Sequence, residues 1–138
     1  MKISNFNSLN EIFFLQCEKY QKEDHLLFNN LNLKKFQTYS WSDTKNNVLK
    51  LAKFLNEKNI KKNDRVLLVS ENRPEWLITD LAILLNSAIT VPNYTTYTVN
   101  DFAFTINDCK PSGLIVSTPQ LLKNILLAAK KLTTILIL

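Results

Sequence analysis

The sequence predicts an α/β fold: an N-terminal helix and a short β-hairpin, followed by alternating β/α units that form a parallel sheet. Three observations carry that prediction. Short β-rich apolar runs recur at residues 66–69, 88–91, 113–116 and 134–138. Between them lie helical stretches of roughly 10–13 residues, the length of a crossover that returns a chain to the same end of a sheet. The run at 66–69 lacks polar interruption, as a strand covered on both faces does.

Each element has its own signal. Ser8-Leu9-Asn10-Glu11 has the form of a capping box, and Ile12, Leu15 and Tyr20 with Phe13 or Phe14 make a helical stripe ending near Tyr20. Residues 25–28 and 35–39 read as two strands joined by a turn around Asn29-Asn30-Leu31-Asn32. Ser40 with Asp43 opens a second helix, which carries Val48, Leu49, Leu51, Ala52 and Leu55 and stops near Lys58. Asn59 suits the left-handed conformation that ends many helices. After the strand at 66–69, Asn72 is the expected N-cap of a helix with Pro74 in its first turn. Glu75 is placed to reach back, and Trp76, Leu77, Leu81, Leu84 and Leu85 form the apolar side. Thr98 and Asp101 cap a helix over about 99–108. Thr118-Pro119 starts another with Leu121, Leu122, Ile125, Leu126 and Ala129 inside.

Composition excludes several function classes. The chain has 138 residues and a formal charge of +5, but fifteen of its seventeen basic residues are lysines, many in scattered pairs. Only Arg65 and Arg73 are arginines, so no arginine-rich face interleaved with aromatics marks a nucleic-acid partner, and none is expected. No apolar run approaches the ~20 residues that span a bilayer, and no secretory leader follows Met1. Cys17 and Cys109 stand apart with no partner at metal-ligand spacing, which predicts two free thiols in a cytoplasmic protein.

Catalytic signals are absent too. With Gly113 the only glycine, no glycine-rich phosphate loop can exist. His25, the only histidine, lies outside the parallel part and reads as a structural side chain. The expected strand tips are Ser70-Glu71-Asn72, Asn93 to Tyr97, and Ser117-Thr118, where open parallel sheets bind ligands. Glu71 and Glu75 form no convincing acid/base pair, and Trp76 reads as core. Tyr94 and Tyr97, in a polar Thr-rich loop, are the best surface candidates for contact with a ligand or neighbouring segment, and read as packing residues rather than catalytic ones. Arg73 is expected either to pair with a nearby carboxylate such as Glu71 or Asp80 or to touch a part of the protein beyond these residues. No catalytic, cofactor-binding or metal-binding residue is nominated.

Residues 38–117 nevertheless carry an ordered set of motifs. They are Asn63-Asp64-Arg65-Val66, Ser70-Glu71-Asn72-Arg73-Pro74-Glu75-Trp76, Asp80-Leu81-Ala82-Ile83-Leu84, Ala88-Ile89-Thr90-Val91-Pro92 and Asn107-Asp108. Their order and spacing resemble the "GDRV, SENRPEW, DLAIL, GAxxVP, LND" progression of the AMP-forming acyl-CoA synthetases, the adenylate-forming ligases. Thr38-Tyr39-Ser40-Trp41 is similar to that family's "TYxE" helix start, with Trp41 replacing the acidic residue. The wording around Arg73, and Val91-Pro92-Asn93-Tyr94 before threonines, look most like the long-chain fatty acyl-CoA synthetase branch. Asn59, Asn63 and Ser87 stand where the family usually has glycine.

The resemblance implies a two-step reaction. A fatty acid and ATP, with Mg2+, give an acyl-adenylate and pyrophosphate, and coenzyme A then takes the acyl group as a thioester. It further implies that residues 1–138 are the N-terminal portion of an AMP-binding domain, an incomplete subdomain truncated before the phosphate-binding loop and inactive alone. Long acyl substrates partition into bilayers, so peripheral membrane contact is compatible with this reading. The alternatives are a non-enzymatic α/β interaction module or a decayed gene product.

Overall fold

A computed structural model describes residues 6–30, 33–129 and 135–137. The order is α1 (Leu9–Tyr20), β1 (Asp24–Asn30), β2 (Lys35–Ser40), α2 (Trp41–Glu57), β3 (Arg65–Val69), α3 (Pro74–Leu85), β4 (Ile89–Asn93), α4 (Val99–Cys109), β5 (Gly113–Val116), α5 (Pro119–Ala128) and β6 (Ile135–Ile137). The expected class is therefore the observed one. Thr134 and Leu138, expected at the ends of the last strand, lie outside the described residues, as do Leu31 and Asn32 in the expected turn.

β1 and β2 form an antiparallel pair, and the other strands form a parallel sheet in the order β4-β3-β5-β6. β3 is central. Val66 and Leu68 face a core built with Phe13, Val48, Leu55, Ile78 and Ile83, from α1, α2 and α3. Leu67 and Val69 face a second core with Phe102, Ile106, Leu121 and Ile125, from α4 and α5. Val66 to Val69 are fully buried and only Arg65, at the start of β3, is exposed, which is why this strand reads as an unbroken apolar run.

Local chemistry sets the helix starts. Ser40 accepts from the Asp43 N–H while the Asp43 carboxylate accepts from the Ser40 N–H, and Thr98 and Asp101 repeat this arrangement. At α1 only half the expected box forms. Ser8 Oγ accepts from the Glu11 N–H at 3.1 Å, but the Glu11 carboxylate accepts from the Asn7 N–H at 2.8 Å. The N-cap of α3 is Arg73, not Asn72. Its side chain caps nothing, because it turns to Glu75, with Nε–Oε2 at 2.8 Å. Glu75 is thus an ion-pair partner rather than a capping group, and Arg73 pairs with neither Glu71 nor Asp80.

In α2 Val48, Ala52 and Leu55 are buried as expected but Leu49 is exposed, and three further apolar stripes need correction. In α1 the buried residues are Phe13 and Cys17, and Leu15 is exposed. In α3 they include Ile78, Leu81, Ala82 and Ile83, while Leu84 and Leu85 are half-buried. In α5 Leu121 and Ile125 are buried and Leu126 is exposed. These helices carry apolar residues over most of their circumference, so sequence spacing leaves the inward direction open.

Six described non-glycine residues have positive φ, among them Asn59 at 66°, Asn63 at 68° and Ser87 at 57°. Those three are the positions where glycine was expected. Ser87 is exposed, so its constraint is backbone conformation and not close packing.

Candidate functional site

The strand order places a reversal at β3. The chain leaves β3 toward the α1–α3 face and leaves β5 toward the α4–α5 face, so the gap between their carboxyl ends is a topological switch point, the usual ligand crevice of such sheets. Here two of the chain's own residues bridge it. Ser117, buried beyond β5, donates its hydroxyl to Glu71 Oε2 beyond β3. That bond, with a further one from the backbone, holds the Glu71 carboxyl below its ordinary range and keeps it ionised at neutral pH.

Beside this bridge a cleft of about 510 Å³ opens over β3 and β4, lined by residues including Glu71, Asn72, Trp76, Asn93, Tyr94 and Thr95. Pro92 supplies part of its floor. Trp76 is half-buried, with one side against the first core, so it is both a core residue and a cleft wall. Tyr97 packs inward, 5.9 Å from Phe102, whereas Tyr94 is 73% exposed and meets Tyr97 edge-on at 5.6 Å. Of the two tyrosines only Tyr97 is a packing residue. Asn93 donates to Thr105 Oγ1 at 3.1 Å, which ties the end of β4 to α4.

A larger groove, about 930 Å³, runs between the hairpin and the start of α3, with Leu26, Phe28, Tyr39, Arg73 and Trp76 among its walls. Phe28 and Tyr39 stack there at 5.1 Å. Burial and the nearby Glu75 carboxylate raise the Tyr39 hydroxyl pKa. This groove lies off the strand ends, and its guanidinium is already matched by Glu75, so the smaller cleft is the better candidate for chemistry.

His25 lies away from both. Its ring stacks on Trp41 at 3.7 Å, and Nδ1 lies 3.1 Å from Thr44 Oγ1. The Thr44 hydroxyl donates to the Ser40 carbonyl at 2.9 Å, so it must accept from His25, which assigns the ring proton to Nδ1. The histidine is structural, as its isolation in the sequence suggested. Cys17 and Cys109 are free thiols, both raised in pKa chiefly by burial.

The polar groups of the cleft are amides, hydroxyls and one anion. Among the described residues no cluster of His, Cys, Asp or Glu could hold a metal ion. A magnesium–triphosphate group does not fit here, because Glu71 would repel it and the cleft lining contains no lysine or arginine. Trp76, Pro92 and Tyr94 with Asn72 and Asn93 suit a neutral substrate portion with flat or apolar surface.

The comparisons with known proteins decide the family. Residues 13–138 match the AMP-binding enzyme family. The chain belongs to that family. Among solved structures, this chain is similar to a benzoate CoA ligase from Burkholderia xenovorans, with TM-score 0.84, 14% identity, and coverage of 96% of this chain and 26% of that one. It is also similar to an anthranilate CoA ligase solved with anthranoyl-AMP (TM-score 0.82, 18% identity, 100% and 27% covered). A provisionally named long-chain-fatty-acid CoA ligase from Rhodopseudomonas palustris gives TM-score 0.81, 17% identity, and 95% and 32% coverage. The chain thus spans about a quarter to a third of the length of these structures, and identities this low establish the shared fold alone. No curated protein matches the sequence. Among the described residues no helix is long and apolar enough to cross a membrane.

Proposed function

We propose that these residues form the N-terminal portion of the acyl-adenylating domain of an AMP-forming ligase that joins a long-chain fatty acid to coenzyme A. The family match over residues 13–138 carries the ligase reading. The fatty-acid reading rests on the wording around Arg73 and after Val91, since ligases for aromatic acids share the fold.

Adenylation answers a chemical need: a carboxylate is a poor electrophile, and AMP is a good leaving group. ATP, Mg2+ and coenzyme A would meet their charged contacts outside the described cleft, whose residues do not fit phosphate. The part of these residues is to build a wall. The Glu71–Ser117 bridge fixes the β3 and β5 loops against each other, and Trp76 and Tyr94 exclude water from one side of the bound substrate.

Two assays test this. The 138-residue chain should show neither ATP–pyrophosphate exchange nor acyl-CoA formation, and turnover above a buffer blank would overturn the wall assignment. Hydroxamate trapping in the enzyme isolated from its source, offered acetate, octanoate, palmitate and benzoate, should be fastest with palmitate. A preference for benzoate would remove the fatty-acid assignment and leave the ligase.

A further inference from the structure

Of the side chains that line the carboxyl-end cleft, only that of Glu71 carries a charge; the rest are amides, hydroxyls, Trp76 and Pro92. No counter-charge is paired with it. Ser117 is a neutral donor, and among the described residues no lysine or arginine forms an ion pair with Glu71. Arg73, two residues on, favours the ionised carboxyl from a distance, but its guanidinium is held by Glu75 at 2.8 Å. Both members of that pair line the hairpin groove and not the cleft. The start of α4 adds a further anion at this end of the sheet, Asp101, whose carboxylate accepts from the Thr98 N–H and hydroxyl at 2.8 Å.

The charge is also fixed in place. Ser117 is buried, and its N–H donates to the Val69 carbonyl at 3.1 Å, so the hydroxyl that grips Glu71 is itself tied to the end of β3. A fixed anion in a cleft wall discriminates by sign. A second negative group brought against it is repelled, whereas a neutral group meets amides and a carboxylate with lone pairs to spare. Glu71 is exposed on its solvent side, and water and salt there limit the repulsion to roughly ten-fold in place of absolute exclusion.

We propose that Glu71 is a specificity-determining residue, which restricts the ligase to acids whose non-reacting portion carries no negative charge. Dicarboxylic acids are the class it rejects, and monocarboxylic acids with a neutral far end are the class it admits. This rests on the ligase reading of the cleft, but it holds for an aliphatic and an aromatic acid alike.

Hydroxamate trapping in the full-length enzyme tests it with paired acids that differ only in the far group. The pairs are hexadecanedioate with its monomethyl ester and, in the aromatic series, terephthalate with its monomethyl ester. In the series the enzyme accepts, the ester should exceed the diacid in kcat/KM by at least about ten-fold, although it is bulkier and has one reacting end where the diacid has two. Glu71→Gln keeps an acceptor for Ser117 and removes only the charge, so it should bring the two substrates within about three-fold of each other. Ser117→Ala keeps the charge and should retain most of the discrimination. Glu57→Gln, at the end of α2 and away from the cleft, should leave the ratio as it is in the parent. Equal use of diacid and ester by the parent would overturn the inference and leave the ligase reading intact. So would a Glu71→Gln ratio equal to the parent's. The parent comparison needs no variant, so it decides the matter even where Glu71→Gln fails to fold. No hydroxamate from palmitate or benzoate would instead remove the ligase reading, and this inference with it.

Discussion

Ser87 shows how one backbone angle governs the choice of residue. A left-handed residue other than glycine costs about 1–2 kcal/mol, and asparagine is the usual exception. Asn59 and Asn63 therefore replace glycine at little cost, whereas Ser87 at φ 57° carries more of it. Ser87→Gly should stabilise the chain by about 1 kcal/mol, raising the thermal midpoint by several degrees, and Asn63→Gly should change it less. At Asn59 the left-handed conformation was legible in the sequence, whereas at Ser87 the choice between conformation and packing was not. His25 gives a pH-dependent prediction. Burial lowers its pKa, so folding favours the neutral ring. Its contribution is fully present above the unfolded value of about 6.5 and is lost as pH falls below that value toward the folded one. Urea midpoints should decline across that window, and a His25→Asn variant should flatten the slope.

Helix starts divide into those that local sequence determines and those it does not. Ser40 and Thr98 each have an aspartate three residues on, and both boxes form as read. The same hydrogen bonds lower the Asp43 and Asp101 pKa values, so this support is present above the ordinary aspartate range and is lost as pH falls below it. At α3 the local reading fails because an ion pair competes with capping and Pro74 moves the start one residue along. Ser40→Ala and Thr98→Ala should each cost about 1 kcal/mol in chemical denaturation. Arg73→Ser should instead gain several tenths by supplying the missing acceptor. A result with Arg73→Ser as costly as Ser40→Ala would show that the Arg73–Glu75 pair outweighs a cap. Buried faces were the least legible feature, since α1, α3 and α5 are apolar over too much of their surface.

For the molecule as a whole, sheet membership could be read from apolar runs and crossover lengths, and the family from ordered motifs. The candidate cleft could not. The Glu71–Ser117 contact joins residues 46 apart, and the cleft exists only because the segments that follow β3 and end β4 meet at the strand ends. Native-state hydrogen exchange should find β3 amides the slowest of all, since both cores must open to release them. β3 amides exchanging as fast as those of α5 would contradict the two-core arrangement. That central position also matters during synthesis. Nearly all the first core is available once Ala88 has emerged, yet Leu67 and Val69 wait for Phe102, Leu114 and Leu121. At roughly 5–20 residues per second, the ribosome leaves one face and one edge of β3 uncovered for a second or more. The nascent chain is most vulnerable to aggregation, and most in need of a chaperone, in that interval.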